Sequence, residues 1–310
     1  MVSCAKDIQV RDAISFAPVA SKPTKAIIEG ASYPVGESFA VSAYYNASAS
    51  LPGSSAYFTD LTATKRASFW EPSSNEYWPL EGRLDFHAFS PASASGVSIS
   101  SNGVTATGYT ITSEQQMTTD LCYASAVVPD CDAHPAAVPM AFSHALTQVV
   151  VRVKAADYYS NVSLALTSLS LNGICSVGDF AEGSWSNLTS AHNYTLSSAT
   201  TPLTYDENDE PEIKEVCAYL FIPQELGVNA TLNVGYSLVQ NVSDTEYTLE
   251  NPPVSVRLNN NISQWEAGKK YIYTLTIGMN NVITFTASAV GWQEENEDII
   301  VEENILLEEN

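Results

Sequence analysis

Positive charge is scarce in this chain: 13 Lys and Arg stand against 35 Asp and Glu, a formal charge of −22 over 310 residues. Nucleic-acid binding needs a basic surface that releases counterions, so that partner class is excluded, and an anionic membrane face repels the chain in the same way. Apolar runs of about 18 or more residues are also lacking, so no segment reads as a membrane-spanning helix. Cysteine is sparse and unclustered, with Cys4, Cys122, Cys131, Cys175 and Cys217 forming no CxxC pair and no Cys/His set at zinc spacing. Catalytic signatures are missing too: there is no GxSxG, HExxH, GxxxxGK[ST] or GxGxxG opening a helix. The four histidines, His87, His134, His144 and His192, sit in unrelated contexts. No enzyme, cofactor or metal is expected.

What remains is 45% hydrophobic and 10% aromatic, too apolar for disorder, with polarity carried mainly by Ser, Thr, Asn and Tyr. Such a surface suits an exported protein. β-Branched and aromatic runs recur at residues 38–45, 84–89, 104–112, 149–153, 162–171, 216–222, 230–238, 254–258, 271–277 and 282–290, separated by Pro, Gly and Asn punctuators. Many short strands with almost no amphipathic helix predict an all-β fold, and the length predicts two β-sandwiches in tandem. The Pro-rich segment 130–139 is the expected linker, giving domains over 1–138 and 139–292 and a tail over 293–310; a break near 183–190 is the alternative.

Several smaller features have two readings each. Cys122 and Cys131 flank a turn-rich stretch and could close a disulfide loop. Asp130, Asp132 and His134 could form a metal nest, although ordinary turn chemistry in a Pro-rich loop is much the stronger reading. Asp60 and Asp85 could be named as a glycosidase pair, but sequence cannot set their separation. Residues 205–215 are acidic and read as a solvated loop. Cys4 follows a small residue as in a lipoprotein cleavage site, yet could equally be a free thiol. In the tail, Ile299, Val301, Ile305 and Leu307 fall on one face at period two, suited either to another chain's sheet edge or to docking at home.

One set of motifs runs in order through the chain: Phe69-Trp70, Tyr77-Trp78-Pro79, Leu84-Asp85-Phe86-His87-Ala88-Phe89-Ser90-Pro91, Phe142-Ser143-His144-Ala145-Leu146, Phe221-Ile222-Pro223-Gln224, Trp265 with Gly268-Lys269, and Val290 with Trp292. Together they resemble the fimbrillin family of Bacteroidales, the subunits of type V pili. The resemblance implies two transthyretin-like β-sandwich domains, export as an outer-membrane lipoprotein anchored through Cys4, and a place in a cell-surface fimbrium that supports adhesion. It further implies partnership with other pilus subunits and a maturation protease. That protease removes a first strand, after which a neighbour's C-terminal donor strand fills the groove. Thr24-Lys25-Ala26-Ile27-Ile28 resembles the processing region, with the cut at Lys25/Ala26 and first-strand residues Ala26, Ile27 and Ile28; family members often carry Arg where this chain has Lys25. Ile299, Val301, Ile305 and Leu307 then become the expected donor strand. The alternative within the same pilus is an anchor or a tip adhesin that binds a glycan or protein on a host or bacterial surface, using aromatics such as Tyr44, Tyr45 and Trp185. Eight of the 35 acids lie after Trp292 with no base among them, so much of the chain's acidity belongs to the proposed donor. Flanking carboxylates would keep that apolar strand from pairing at random.

Overall fold

Alternation of buried and exposed side chains, the mark of strands with one face on a core, dominates the computed structural model, which describes residues 11–20, 34–243, 245–260, 262–279 and 283–291. The chain is all-β, as its composition predicts, and divides into two units. The first takes the chain up to Thr107 together with Leu121–Ser143 and Phe180–Gly183; the second takes Gly108–Asp120, His144–Asp179 and everything from Ser184.

In the first unit lie β1 (Phe16–Ala20), β2 (Ser38–Asn46), β3 (Ser55–Lys65), β4 (Trp70–Pro72), β5 (Arg83–Ser90), β6 (Val97–Ser100), the start of β7 (Gly103–Thr110), β8 (Cys122–Val128) and β9 (Val138–His144). Seven of them form one sheet in the order β1-β9-β8-β5-β2-β3-β4, while β6 and β7 make a hairpin. On a flat sheet, four strand spacings would hold β1 about 19 Å from β2. Yet the Phe16 ring on β1 lies 5.6 Å from Phe39 on β2, and Phe142 on β9 lies 5.4 Å from the same ring. The sheet must therefore curl until β1 and β9 stand over β2. Phe39, Val41, Leu84, Phe86, Val138 and Met140 fill the enclosed space. Each such side chain contributes roughly 1.5–3 kcal/mol on burial.

Gly53 marks a close backbone approach in this unit. A Cβ there would meet the Tyr44 carbonyl oxygen at 2.0 Å, and the Gly53 N–H instead donates to the buried Asp85 carboxylate at 3.0 Å.

The second unit begins with one short helix, α1 (Glu114–Met117), which Ser113 and Gln116 close with a capping box. It continues with β10 (Thr147–Ala155), β11 (Val162–Ala181), β12 (Ser184–Ser197), β13 (Thr201–Pro202), β14 (Lys214–Phe221), β15 (Thr231–Val242), β16 (Thr245–Arg257), β17 (Lys269–Ile277) and β18 (Ile283–Gly291). One sheet runs β14-β10-β17-β18, with β10 and β17 parallel; another runs β16-β15-β11, with β12 and β13 also pairing to β11. Inward positions on both sheets are apolar: Val149, Val151 and Val153 on β10, Leu164, Leu166, Leu169 and Leu171 on β11, Leu232, Val234 and Tyr236 on β15. The sheets meet where Tyr194 of β12 packs edge-on against Phe221 of β14, centroids 5.0 Å apart. Beneath them the Trp265 indole N–H donates to the Tyr273 hydroxyl at 2.9 Å, satisfying a polar group that burial would otherwise leave unpaired.

All ten expected strand regions are strands. The stretch between Cys122 and Cys131, expected to be a turn-rich loop, is β8 instead. Cys122 pairs across from Ser90, whereas the Cys131 N–H reaches Gly82 O beyond the other end of β5. The strand length holds the two cysteines apart, and both are buried without forming a disulfide.

Candidate functional site

The feature that sets the first unit apart is how its core is closed. Residues 12–16 are inserted between two parts of the unit. On one side the Ile14 N–H donates to Glu76 O at 2.7 Å, the Trp78 N–H donates to Asp12 O at 3.0 Å, and Ala13 bridges Tyr77. On the other, the Val138 N–H donates to Ser15 O at 2.8 Å and the Ser15 hydroxyl to Ala136 O at 2.7 Å. From Phe16 the chain runs parallel to β9 in five register pairs, Phe16↔Val138 to Ala20↔Phe142. Among the described residues β1 thus has one partner strand and lies at the sheet's edge.

That edge strand is no surface ornament, because its Phe16 is 6% exposed and Ile14, just before it, 3% exposed. Phe16 stands edge-on to both Phe39 and Phe86, at 5.6 and 6.2 Å, geometry that adds to plain area burial. Taken away, the two side chains would leave a slot floored by aromatic rings. Beside the entry, the His134 ring stacks on Trp78 at 4.5 Å with planes 4° apart, and His134 Nε2 lies 3.7 Å from Asp12 Oδ2. A cavity of about 310 Å³ opens there, lined by Arg11, Leu80, Cys131 and Asp132 among others. Burial first, and then the Asp130 charge, push the Cys131 thiol up to about 11, so it is a core group and not a nucleophile.

The residues proposed from the sequence fall into two groups. Cys4, Lys25, Ala26, Ile27, Ile28, Ile299, Val301, Ile305 and Leu307 all lie outside the described residues. The others have structural duties. Asp130 accepts the Asp132 N–H at 3.1 Å in a local turn while His134 turns to Trp78, so among the described residues these three do not converge as metal ligands. Asp85 is committed to Arg83, with Nε to Oδ1 at 2.6 Å, and to Gly53; Asp60 sits at φ +54° with its N–H donated to Ser42 Oγ. In the acidic loop Asp206 accepts the N–H groups of Asn208 and Glu210, which hold its carboxyl below the usual range. His87 Nδ1 lies 2.8 Å from Ser125 Oγ, and His144 Nδ1 lies 2.8 Å from Asp120 Oδ2. Of the aromatics suggested for adhesion, Tyr44 is buried and reaches Ile99 O, and the Trp185 indole donates to Ala145 O at 2.6 Å. Both serve the scaffold.

Sequence reasoning missed β1 itself. The signal was present in the spacing of Ile14, Phe16 and Val19, but Pro18 and the shortness of the run concealed it.

An all-β chain in which an edge strand helps to close a core has the architecture of a scaffold for assembly or adhesion. The chain belongs to the fimbrillin-like family, whose model matches residues 24–292. No curated protein matches it. Among solved structures it is similar to a candidate cell adhesion protein of Bacteroides ovatus, with 15% identity, 93% of this chain and 100% of that one covered, and a TM-score of 0.55. Another from Bacteroides eggerthii shares 11% identity over 91% and 96% of the two chains at a TM-score of 0.52. A candidate adhesin of Bacteroides thetaiotaomicron shares 7% over 92% and 98% at 0.51. At such identities the likeness is one of fold. Family membership makes this chain a pilus subunit or adhesin of the cell-surface fimbrium, a structural protein and not an enzyme, which assembles with other pilus subunits.

Proposed function

We propose that the chain is a structural pilus subunit that polymerises by proteolysis-dependent strand exchange, on two transthyretin-like sandwiches. The observation that carries this reading is β1: among the described residues an edge strand paired on one side only, whose Phe16, with Ile14 just before it, nonetheless enters the core. β1 ends before Lys25, so the strand that a cut after Lys25 would sever is β1 and not Ala26, Ile27 and Ile28, which such a cut leaves with β2 onward. Once β1 departs, the slot over Phe39, Phe86 and Phe142 needs another apolar strand. The segment bearing Ile299, Val301, Ile305 and Leu307 has the period-two face to supply one from a neighbouring subunit. In this scheme Cys4 carries the lipid that brings the precursor to the outer membrane, and Lys25 in place of Arg calls for a Lys-tolerant protease.

Limited digestion with a Lys-specific protease, followed by size-exclusion chromatography, tests the proposal. Chains that have lost residues 1–25 should form ladders of oligomers, and the same chains truncated at residue 298 should not. Clean removal of residues 1–25 without any oligomer would overturn it. Normal incorporation of the truncated chain into a pilus would instead favour the tip position, which needs a slot but no donor.

A further inference from the structure

A second cavity lies wholly within the second unit and plays no part in strand exchange. It is about 560 Å³, within the roughly 300–1,000 Å³ usual for small-molecule sites. Its walls come from Val228 and Asn229 ahead of β15, from β15, from the end of β16 and the turn at Asn260, and from β18; among the described residues β16 and β18 each stand at an edge of their sheet. Ile283 and Phe285, each 2% exposed, make an apolar floor. The polar lining includes Asn229, Thr231, Asn260 and Arg257.

Arg257 is the informative residue. It is the single basic residue of the lining, its side chain is exposed, and like Lys154 and Lys214 it has no carboxylate partner among the described residues. A guanidinium in a cavity, without a carboxylate of its own, presents its planar fork to a carboxylate from outside. The remaining groups narrow the ligand further. The amides of Asn229 and Asn260 and the hydroxyls of Thr231 and Ser255, the last already donating to Asn233, can both donate and accept, as vicinal hydroxyls require, while the floor suits the C–H face of a saturated ring. A single cation within a chain of charge −22 disfavours polyanions such as nucleotides or sulfated chains.

From this geometry we infer that the cavity binds a sugar acid, a hydroxylated ring carrying one carboxylate, free or as the terminal residue of a glycan. The carboxylate pairs with Arg257, the hydroxyls with Asn229, Thr231 and Asn260, and the ring rests over Ile283 and Phe285.

Isothermal titration of the full chain with glucuronic acid, N-acetylneuraminic acid and neutral glucose tests the inference. At least one acid should bind about tenfold or more tightly than glucose, more weakly as salt rises. Arg257→Ala should bring it to the level of glucose, Arg257→Lys should recover part of the difference, and both variants should keep the parent melting temperature. Asn260→Asp gives an independent check, since a second negative charge should expel the acids and leave glucose unaffected. Equal binding of acid and glucose, undiminished binding by Arg257→Ala or Asn260→Asp, or no binding of any sugar would overturn it. So would binding confined to a synthetic acidic peptide, which would make the cavity a protein-docking site. A glycan ending in the same acid, immobilised and probed with the chain, distinguishes the terminal residue from the free sugar.

Discussion

The two units close their cores differently. In the second, the last described strand, β18, also stands at a sheet edge, but nine antiparallel register pairs hold it to β17, and the long β15 and β16 pair antiparallel along most of their length. In the first, a five-residue edge strand near the N-terminus does part of the covering, held by one parallel partner. Both cores are apolar and rich in aromatic residues, so the difference is not one of composition. It lies in how firmly the covering edge strand is held: five parallel register pairs for β1 against nine antiparallel ones for β18. The shorter ladder is the one that a single peptide-bond cleavage would release more readily.

Two buried thiols allow this contrast to be broken most directly. Burial and Asp130 push Cys131 in the first unit up to about 11, and burial, aided by Glu215, pushes Cys217 in the second up to about 12. In the intact chain both should resist iodoacetamide at pH 8. Removal of residues 1–25 should make Cys131 react while Cys217 stays protected, as mass spectrometry of the labelled peptides would report. Equal reactivity of both thiols would show that the units do not respond separately.

A smaller effect comes from single side chains. Phe16→Ala should destabilise the first unit by about 3–5 kcal/mol in denaturant unfolding, the range for emptying an aromatic core site. A cost below 1 kcal/mol would mean that β1 covers the core without filling it. In the second unit Tyr273→Phe removes the acceptor of the Trp265 indole N–H and should cost about 1–3 kcal/mol.

The least effect is expected at the surface, where Glu266 and Lys269 pair at 2.8 Å, both nearly half-exposed. The Lys269 hydrogen bond holds the Glu266 carboxyl below its usual range, and the Glu266 hydrogen bond holds the Lys269 ammonium above its own. Glu266 therefore contributes stability above the unfolded carboxylate value, near pH 4, and loses it as pH falls through its lowered folded value. Lys269 contributes below its unfolded value, near pH 10, and loses its share as pH rises through its raised folded value. With solvent screening the pair should be worth a few tenths of a kcal/mol. Glu266→Gln should flatten the acid limb of a pH–stability curve by no more than that.

Much of this arrangement is legible in the sequence where physics is local. The central strands announce themselves because their inward positions are β-branched or aromatic at period two, as in β10, β15 and β17. Trp70, Trp78 and Phe86 are recognisable as core plugs by size alone, and all three are buried. Strands with little apolar signal are not legible. β12, Ser-Trp-Ser-Asn-Leu-Thr-Ser-Ala-His-Asn-Tyr-Thr-Leu-Ser, is largely exposed and exists because β11 offers it a ladder. β9 carries Pro139, which reads as a breaker, yet the residue stands exposed while Val138 and Met140 turn inward. At the slot, the aromatic residues that floor it are legible as core, but no local pattern tells that β1 runs parallel to a partner more than a hundred residues away. That pairing is a property of tertiary closure, which periodicity does not encode.

The direction of β1 also determines how the first unit bears load. Because β1 runs parallel to β9, and β9 leads at its C-terminal end into the second unit, a tension applied between Phe16 and His144 pulls the two strands past one another along their length. The ladder bonds lie across the strands and would have to fail together in shear. An antiparallel partner in the same place would expose them one at a time, as a zipper. A strand seated in this slot in the orientation of β1 therefore makes a joint that resists traction along its axis, the stress a filament meets when its tip is held and the cell is swept by flow.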